Sequence, residues 1–335
     1  MHEDPAPQQV VRSTEQALET SLCGDMTGLQ ANAASPMRGG CPSHASQSSL
    51  YGPATIPAQP NWARDTLWDV RSAPAVSSDG TIYMGSDDGN FYAINPANGA
   101  EKWRLLLWNQ IKSSPAIGAN GTIYVGSNAN KVHAISPTTH AEIASFDTLG
   151  DVTASPTIGA AGVVYIGSQT GKFYALNANL TKKWEFATGG AIRTSAAVGP
   201  DGGIYFSSDD NKLYALTPTG ASKWSAQALG VTGVESSPAV ANGKVYVASN
   251  QNKLHAFDAA TGNLVWERAL GTGTSYVGSP AVDANGVVYV GGGDFALHAF
   301  TPDGNELWTY PTLGAILAAP AIDKAGTVYF GKSPS

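Results

Sequence analysis

Histidine is the first side chain in this 335-residue sequence whose placement suggests chemistry. His133, His255 and His298 recur at one place in a repeating segment, where the other copies carry Tyr92, Tyr174 and Tyr214. Imidazoles gathered on one ion would make a transition-metal site, but these stand in different repeat units, set well apart, and alternate with tyrosine, so separate structural histidines and no metal are expected. Two acidic turns, Asp87-Asp88-Gly89 and Asp209-Asp210-Asn211, have the look of calcium loops. No ordered series of oxygen ligands closed by a carboxylate follows either, so solvated hairpin turns are expected. A third set is basic: Arg71, Lys112 and Arg193 lie three residues ahead of a recurring proline position, where the remaining copies have Thr153, Glu235, Val277 and Leu317. Positioned guanidinium groups hold carboxylates bidentately, and Asp151 and Tyr276 lie in the same connections. Arg71, Lys112, Asp151, Arg193, Glu235 and Tyr276 are therefore the candidate ligand-binding residues, for a small anion. Solvated loop charges are the plainer alternative. No Gly-x-Ser-x-Gly elbow, His-Glu-x-x-His helix or phosphate loop is present, and no catalytic residue is assigned.

These candidates sit in a weakly charged, turn-rich chain. Hydrophobic residues make up 42% and charged ones 13%, with 38 Gly and 20 Pro, which describes a folded rather than a disordered polypeptide. A net charge of −7 excludes the concentrated basic surface that nucleic acid or an anionic membrane requires. No apolar run approaches a membrane span, and the opening segment lacks the apolar core of a secretory signal. Cys23 and Cys41 both precede the repeats; a disulfide and two thiols are both open.

The elements that must position the candidates come from the repeat. Tyr83, Tyr124, Tyr165, Tyr205, Tyr246, Tyr289 and Tyr329 recur at intervals of 40 to 43 residues. About nine residues before each stands a small-Pro-small unit, from Ala73-Pro74-Ala75 to Ala319-Pro320-Ala321, with Ser195-Ala196-Ala197 as the fourth copy. Each unit divides into four short β-type segments, A to D, separated by Gly, Asn, Asp and Pro. In the first unit they run roughly Ser72 to Ser77, Thr81 to Gly85, Asn90 to Asn95 and Glu101 to Leu106. Asp79-Gly80, Asn120-Gly121 and Asn285-Gly286 mark tight A–B hairpins that need positive φ, and Gly89, Asn130, Gly171, Asn211 and Asn252 mark the B–C turns. Segment D carries one aromatic per unit, Trp62, Trp103, Phe146, Trp184, Trp224, Trp266 and Trp308, expected to dock between neighbouring units.

Four-stranded units with a small-residue inner strand and an aromatic outer strand are propeller blades. The prediction is an all-β, seven-bladed β-propeller of four-stranded antiparallel blades, whose last blade is closed by N-terminal strands. Trp62 precedes Pro74 by 12 residues, as Trp103 precedes Pro115, so it belongs to a blade whose inner strands come last in the chain. Residues 48–64 are expected to complete the blade of residues 316–332. The domain then spans 35–335, preceded by a flexible tail over 1–34.

The phrases TIYMGSDDGNFYAINPANGAEKW, GTIYVGSNANKVHAI and KVYVASNQNKLHAFDAATGNLVW resemble the repeat of the pyrroloquinoline-quinone (PQQ) type propellers, with its tryptophan docking motif. The resemblance covers residues 62 to 331. It implies a family of quinoprotein dehydrogenases, BamB-like assembly proteins and sensor domains, most of which work outside the cytoplasm. A dehydrogenase of that family would need eight blades, a calcium site and usually adjacent cysteines, so neither PQQ nor calcium is expected. The reading is a monomeric, non-catalytic scaffold, periplasmic or secreted, that binds a protein or small anionic ligand at the ring mouth. A PQQ-dependent oxidoreductase is the alternative. A carbohydrate- or polymer-binding module using Trp68, Trp108 and Tyr276 is the second.

Overall fold

Short alternating segments between glycine-bearing turns pair as antiparallel hairpins. In blade 1 the strands are Ala75–Val76, Ile82–Gly85, Asn90–Ile94 and Glu101–Leu106, hydrogen-bonded in chain order. Five more four-stranded sheets repeat this order, and Ala321–Ile322 with Val328–Tyr329 form the inner pair of a seventh. The protein is a seven-bladed β-propeller. This computed structural model describes residues 29–30, 37, 41, 43–44, 62–230, 234–273 and 277–333. The strands expected near 48–52 and 59–61 lie outside the described residues, and Trp62 to Arg64 are not in a strand.

One row of side chains fixes the register. Ala75 opposes Tyr83, Tyr83 opposes Ala93 and Ala93 opposes Trp103. The same row recurs as Thr157, Tyr165, Ala175 and Trp184 in blade 3, and as Ala281, Tyr289, Ala299 and Trp308 in blade 6. Small and large residues alternate across the sheet, so each tyrosine ring leans on its tryptophan, at 5.8 Å for Tyr83 and Trp103. A slip by one residue would turn every ring to the opposite face.

Most of the docking tryptophans then reach the next blade. The indole N–H of Trp62 donates to Pro96 O at 2.8 Å, that of Trp184 to Pro218 O at 3.0 Å and that of Trp266 to Pro302 O at 2.9 Å. The ring lies over a C–D turn residue with φ of 70° at Gly99, 84° at Gly220 and 81° at Gly304. A Cβ on Gly99 would meet the Trp62 ring at 2.4 Å, so glycine answers both the turn and the ring there. At Trp103 the turn residue is instead His140, whose imidazole stacks on the indole at 5.0 Å.

Phe146 corrects the sequence reading. It pairs with Val132, whereas the docking row of blade 2 runs Ala116, Tyr124, Ala134 and Ala144. Phe146 stands two residues along the strand, on the same face, with its edge against Tyr174 of blade 3 at 5.1 Å. The tryptophan at position 144 is replaced by a set of exchanges. Leu180 takes the positive-φ turn position, is buried, and packs with Ala144 and Phe146 where an indole lies in other blades. Tyr124 OH donates to Ala178 O at 2.7 Å, making the interblade bond an indole N–H makes elsewhere.

Two further devices bind the ring near its axis. A belt of hydroxyl bridges passes from blade to blade: the backbone N–H of Ala73, Ser114, Ser155, Ser195 and Ser237 donates in turn to the side chain of Ser114, Ser155, Ser195, Ser237 and Ser279, each at 2.9–3.0 Å. Below the belt the chain fills its own axis. Leu29 and Gln30 pair with the inner strand of blade 2, Gln30 N donating to Ile117 O at 3.1 Å. Ser43 O accepts from Val240 N of blade 5 at 2.8 Å, and buried His44 meets Thr157 Oγ1 of blade 3 at 3.4 Å. The tail expected over 1–34 lies outside the described residues except for Leu29 and Gln30, which are anchored. Cys41 is buried and disulfide-bonded, and the chain's one other cysteine is Cys23.

Candidate functional site

The mouth is where each D–A connection meets the end of a B strand. Asp87 N donates to Asp69 O at 2.8 Å, Asn128 N to Gln110 O at 2.9 Å, Gln169 N to Asp151 O at 3.0 Å and Asp209 N to Ala191 O at 2.8 Å. This pairing brings the expected basic residues against carboxylates. Arg71 Nε lies 2.9 Å from Asp87 Oδ2, with its Nη2 3.2 Å from Asp69, and Arg193 Nε lies 2.8 Å from Asp209 Oδ2. The two arginines are thus engaged by acids sixteen residues on, a spacing shared by both blades and visible in the sequence. Lys112 is half-buried and makes no ion pair among the described residues, and Glu235 is exposed. Tyr276 lies outside the described residues. Asp69, Asp87, Asp151, Asp209 and Glu235 outnumber Arg71, Lys112 and Arg193 at the described mouth positions.

The sequence pointed to Trp108, which is exposed as is Trp68, but not to the apolar rim that Trp108 belongs to. Seven residues before the marker proline stand Leu313, Leu67, Trp108 and Leu149, in four successive connections from blade 6 to blade 3. They are 82%, 81%, 84% and 71% exposed. Trp108 has φ 69° and Leu149 φ 62°, and Phe295, in the adjoining B–C turn, has φ 62°. Bulky side chains rarely adopt that conformation, at about 1–3 kcal/mol each. The equivalent of Trp108 in blade 4 is Gly189, so the turn does not need a large residue. Large apolar groups thus face solvent along this arc, two of the four in strained backbone, where monomers seldom gather them.

The histidines form a different arrangement. His133 Nε2 lies 2.8 Å from Ser127 Oγ and Nδ1 2.7 Å from Glu142, which is the order of a serine-hydrolase triad. Ser127 is fully buried and its hydroxyl also accepts Ala129 N, so no substrate reaches it. His255 repeats the contact with Ser249 at 3.0 Å, and Tyr92 and Tyr214 fill the same place by donating to Asp88 and Asp210. Burial holds the imidazoles of His133 and His255 below the ordinary range. Burial, and then its bond to Asp88, pushes Tyr92 up to about 12. These residues tie strand C to the mouth-side turns. The acidic turns do likewise: Asp88 Oδ1 accepts Asn90 N at 2.8 Å, and Asp210 accepts Gly189 N at 3.0 Å. Among the described residues no three of His, Cys, Asp and Glu converge as metal donors.

What the mouth leaves open is a set of acceptors. Asp87 Oδ1, Asn128 Oδ1 and Thr153 Oγ1, on blades 1, 2 and 3, are buried with no hydrogen-bond partner among the described residues. Each such atom costs about 1–3 kcal/mol until a donor reaches it.

Fold and repeat together define a PQQ-type propeller. The model of the family described as outer membrane protein assembly factor BamB matches residues 54–139, 106–227 and 181–330, and the chain belongs to that family. Among solved structures, BamB from Moraxella catarrhalis superposes with a TM-score of 0.71 at 17% identity, covering 96% of this chain and 94% of that one. The structure of U3-55K superposes with a TM-score of 0.63 at 10% identity, covering 81% and 90%. These two likenesses are of fold. No curated protein sequence matches significantly. The quinone that gives the repeat its name does not fit the axis between Thr157 and Val240, because Ser43 and His44 occupy it.

Proposed function

We propose that the protein is a non-catalytic scaffold working outside the cytoplasm, which docks a protein partner on the mouth-side rim. The observation that carries this reading is the arc of Leu313, Leu67, Trp108 and Leu149: four equivalent positions, all more than two-thirds exposed, two in strained backbone. Membership of a family described as an assembly factor agrees with a partner-binding role. The disulfide at Cys41 agrees with an oxidising compartment. The buried Ser127 and the filled axis argue against hydrolysis and quinone chemistry at those places.

The test is site-specific photocrosslinking in intact cells of the source organism. A photoreactive residue at position 108 or 149 should yield one discrete protein adduct, lost in the Leu67→Ser/Leu313→Ser variant, whereas position 183 on the outer wall should yield none. Equal labelling at 108 and 183 would remove the rim as a docking face. Turnover of an alcohol or sugar by protein incubated with PQQ and calcium would remove the non-catalytic assignment.

A further inference from the structure

The chemistry of the docked group follows from the mouth beneath the rim. Three of the unpartnered atoms lie on the arc of the rim: Leu67, Trp108 and Leu149 stand in the connections that lead into blades 1, 2 and 3, and these blades carry Asp87 Oδ1, Asn128 Oδ1 and Thr153 Oγ1, while Asp210 Oδ1, Asn211 Oδ1 and Asn252 Oδ1 lie in the B–C turns of blades 4 and 5. A carboxylate oxygen and an amide oxygen only accept, and a threonine hydroxyl can do so. Of the three cations at the described mouth positions, the two arginines are already engaged, Arg71 by Asp87 and Asp69, and Arg193 by Asp209. Asp87 is nine-tenths buried, while the Arg71 side chain that covers it is 58% exposed and therefore free to swing aside. Ser43 and His44 contact the inner strands of blades 5 and 3 beneath the serine belt.

We propose that the mouth of blades 1 to 3 receives a basic side chain, a guanidinium or an ammonium, projected by the protein that docks on the rim. The guest exchanges with Arg71 over Asp87, so the buried carboxylate keeps a cationic partner throughout, and the remaining N–H groups of the guest reach the amide and hydroxyl acceptors of blades 2 and 3. The inference rests on the docking reading above, and adds to it the sign of the central charge.

The experiment compares two peptides, acetyl-Leu-Leu-Arg-Leu-Leu-amide and its glutamate counterpart, titrated into the labelled full-length protein and followed by amide chemical shifts. The arginine peptide should bind at least tenfold more tightly and shift the amides of residues 69–71, 87 and 128. Arg71→Ala should tighten it and Asp87→Asn weaken it about fivefold or more. Asp69→Asn, at a solvent-exposed carboxylate that folding does not need, should weaken it less but in the same direction. Equal or preferential binding of the glutamate peptide, weaker binding in Arg71→Ala, or no binding of either peptide overturns the proposal. Failure of the charge preference with crosslinking at Trp108 intact would leave the scaffold standing without a basic guest. Loss of both would remove the docking face as well.

Discussion

Ala144, Tyr124 and Leu180 show how one interblade contact can be assembled from different atoms. Elsewhere an indole fills the gap, bonds a carbonyl and demands glycine beneath it; here leucine fills the gap and a phenol makes the bond. Leu180→Gly alone should lose about 1–3 kcal/mol, the removal of a buried leucine partly offset by relief of left-handed backbone strain. Combined with Ala144→Trp it should recover most of that, giving a positive coupling in a double-mutant cycle of urea midpoints; strict additivity would show that the two sites do not share one volume. The sequence held part of this signal, since Phe146 precedes its marker proline by ten residues where Trp103 does so by twelve. The exchange at Leu180 lies 34 residues on and leaves no local mark, so residue type outweighed spacing. A second residue-scale expectation concerns His133 and His255. Burial sets their folded pKa values below the unfolded value of 6.5, so the unfolded chain takes up these protons first as pH falls. Their contribution is intact above about pH 6.5 and is lost as pH drops toward the folded values. His133→Tyr/His255→Tyr, which installs the residue used in blades 1, 3 and 4, should flatten the fall in urea midpoint between about pH 7.5 and 5.5; an unchanged slope would assign it to carboxylates.

Strand ends were legible wherever a turn residue needed positive φ, and three strands of blade 1 match their predicted spans to within a residue. The inner strand is shorter than the pattern suggests, only Ala75–Val76, for a physical reason. Pro74 has no N–H to give, and Ser72 Oγ takes over the pairing by bonding both N and O of Gly85, at 3.0 and 2.9 Å. The docking contact is likewise an element-scale device, and its first copy comes from outside blade 1. Trp62 bonds Pro96 with the geometry of Trp184 on Pro218. Both rings are half-buried, so Trp62→Ala and Trp184→Ala should each lower stability by about 2–3 kcal/mol, half the area of a fully buried ring at roughly 25 cal/mol/Å². Chemical denaturation compares them directly, and a silent Trp62→Ala would mean that this contact contributes nothing to closure.

At the scale of the molecule the repeat announced the ring, because seven tyrosines in register admit few other architectures. The mouth was less legible. Counting three residues back from each marker proline found the charges but not their partners, which belong to another strand of the same blade; counting seven back would have found the rim. Nor does any repeat describe the filling of the axis, since residues 29–44 follow no period. Removing residues 1–66 should take away Trp62, Ser43 and His44 together and abolish cooperative unfolding, and a truncated chain that melts like the full-length protein would show that the ring closes without them.

The serine belt has one more implication. Its donors and acceptors run from Ala73 to Ser279, and the next positions round the ring, Ala319 and again Ala73, carry no hydroxyl. A bracelet of equal links would part anywhere with equal difficulty, whereas this one has a clasp. Transient opening should begin at the flanks of blade 7, so amide hydrogen exchange along Ala321–Ile322 should outrun that along Thr157–Ile158 and Ala197–Val198, and any partner that spans the rim from Leu313 to Trp108 would hold the clasp shut.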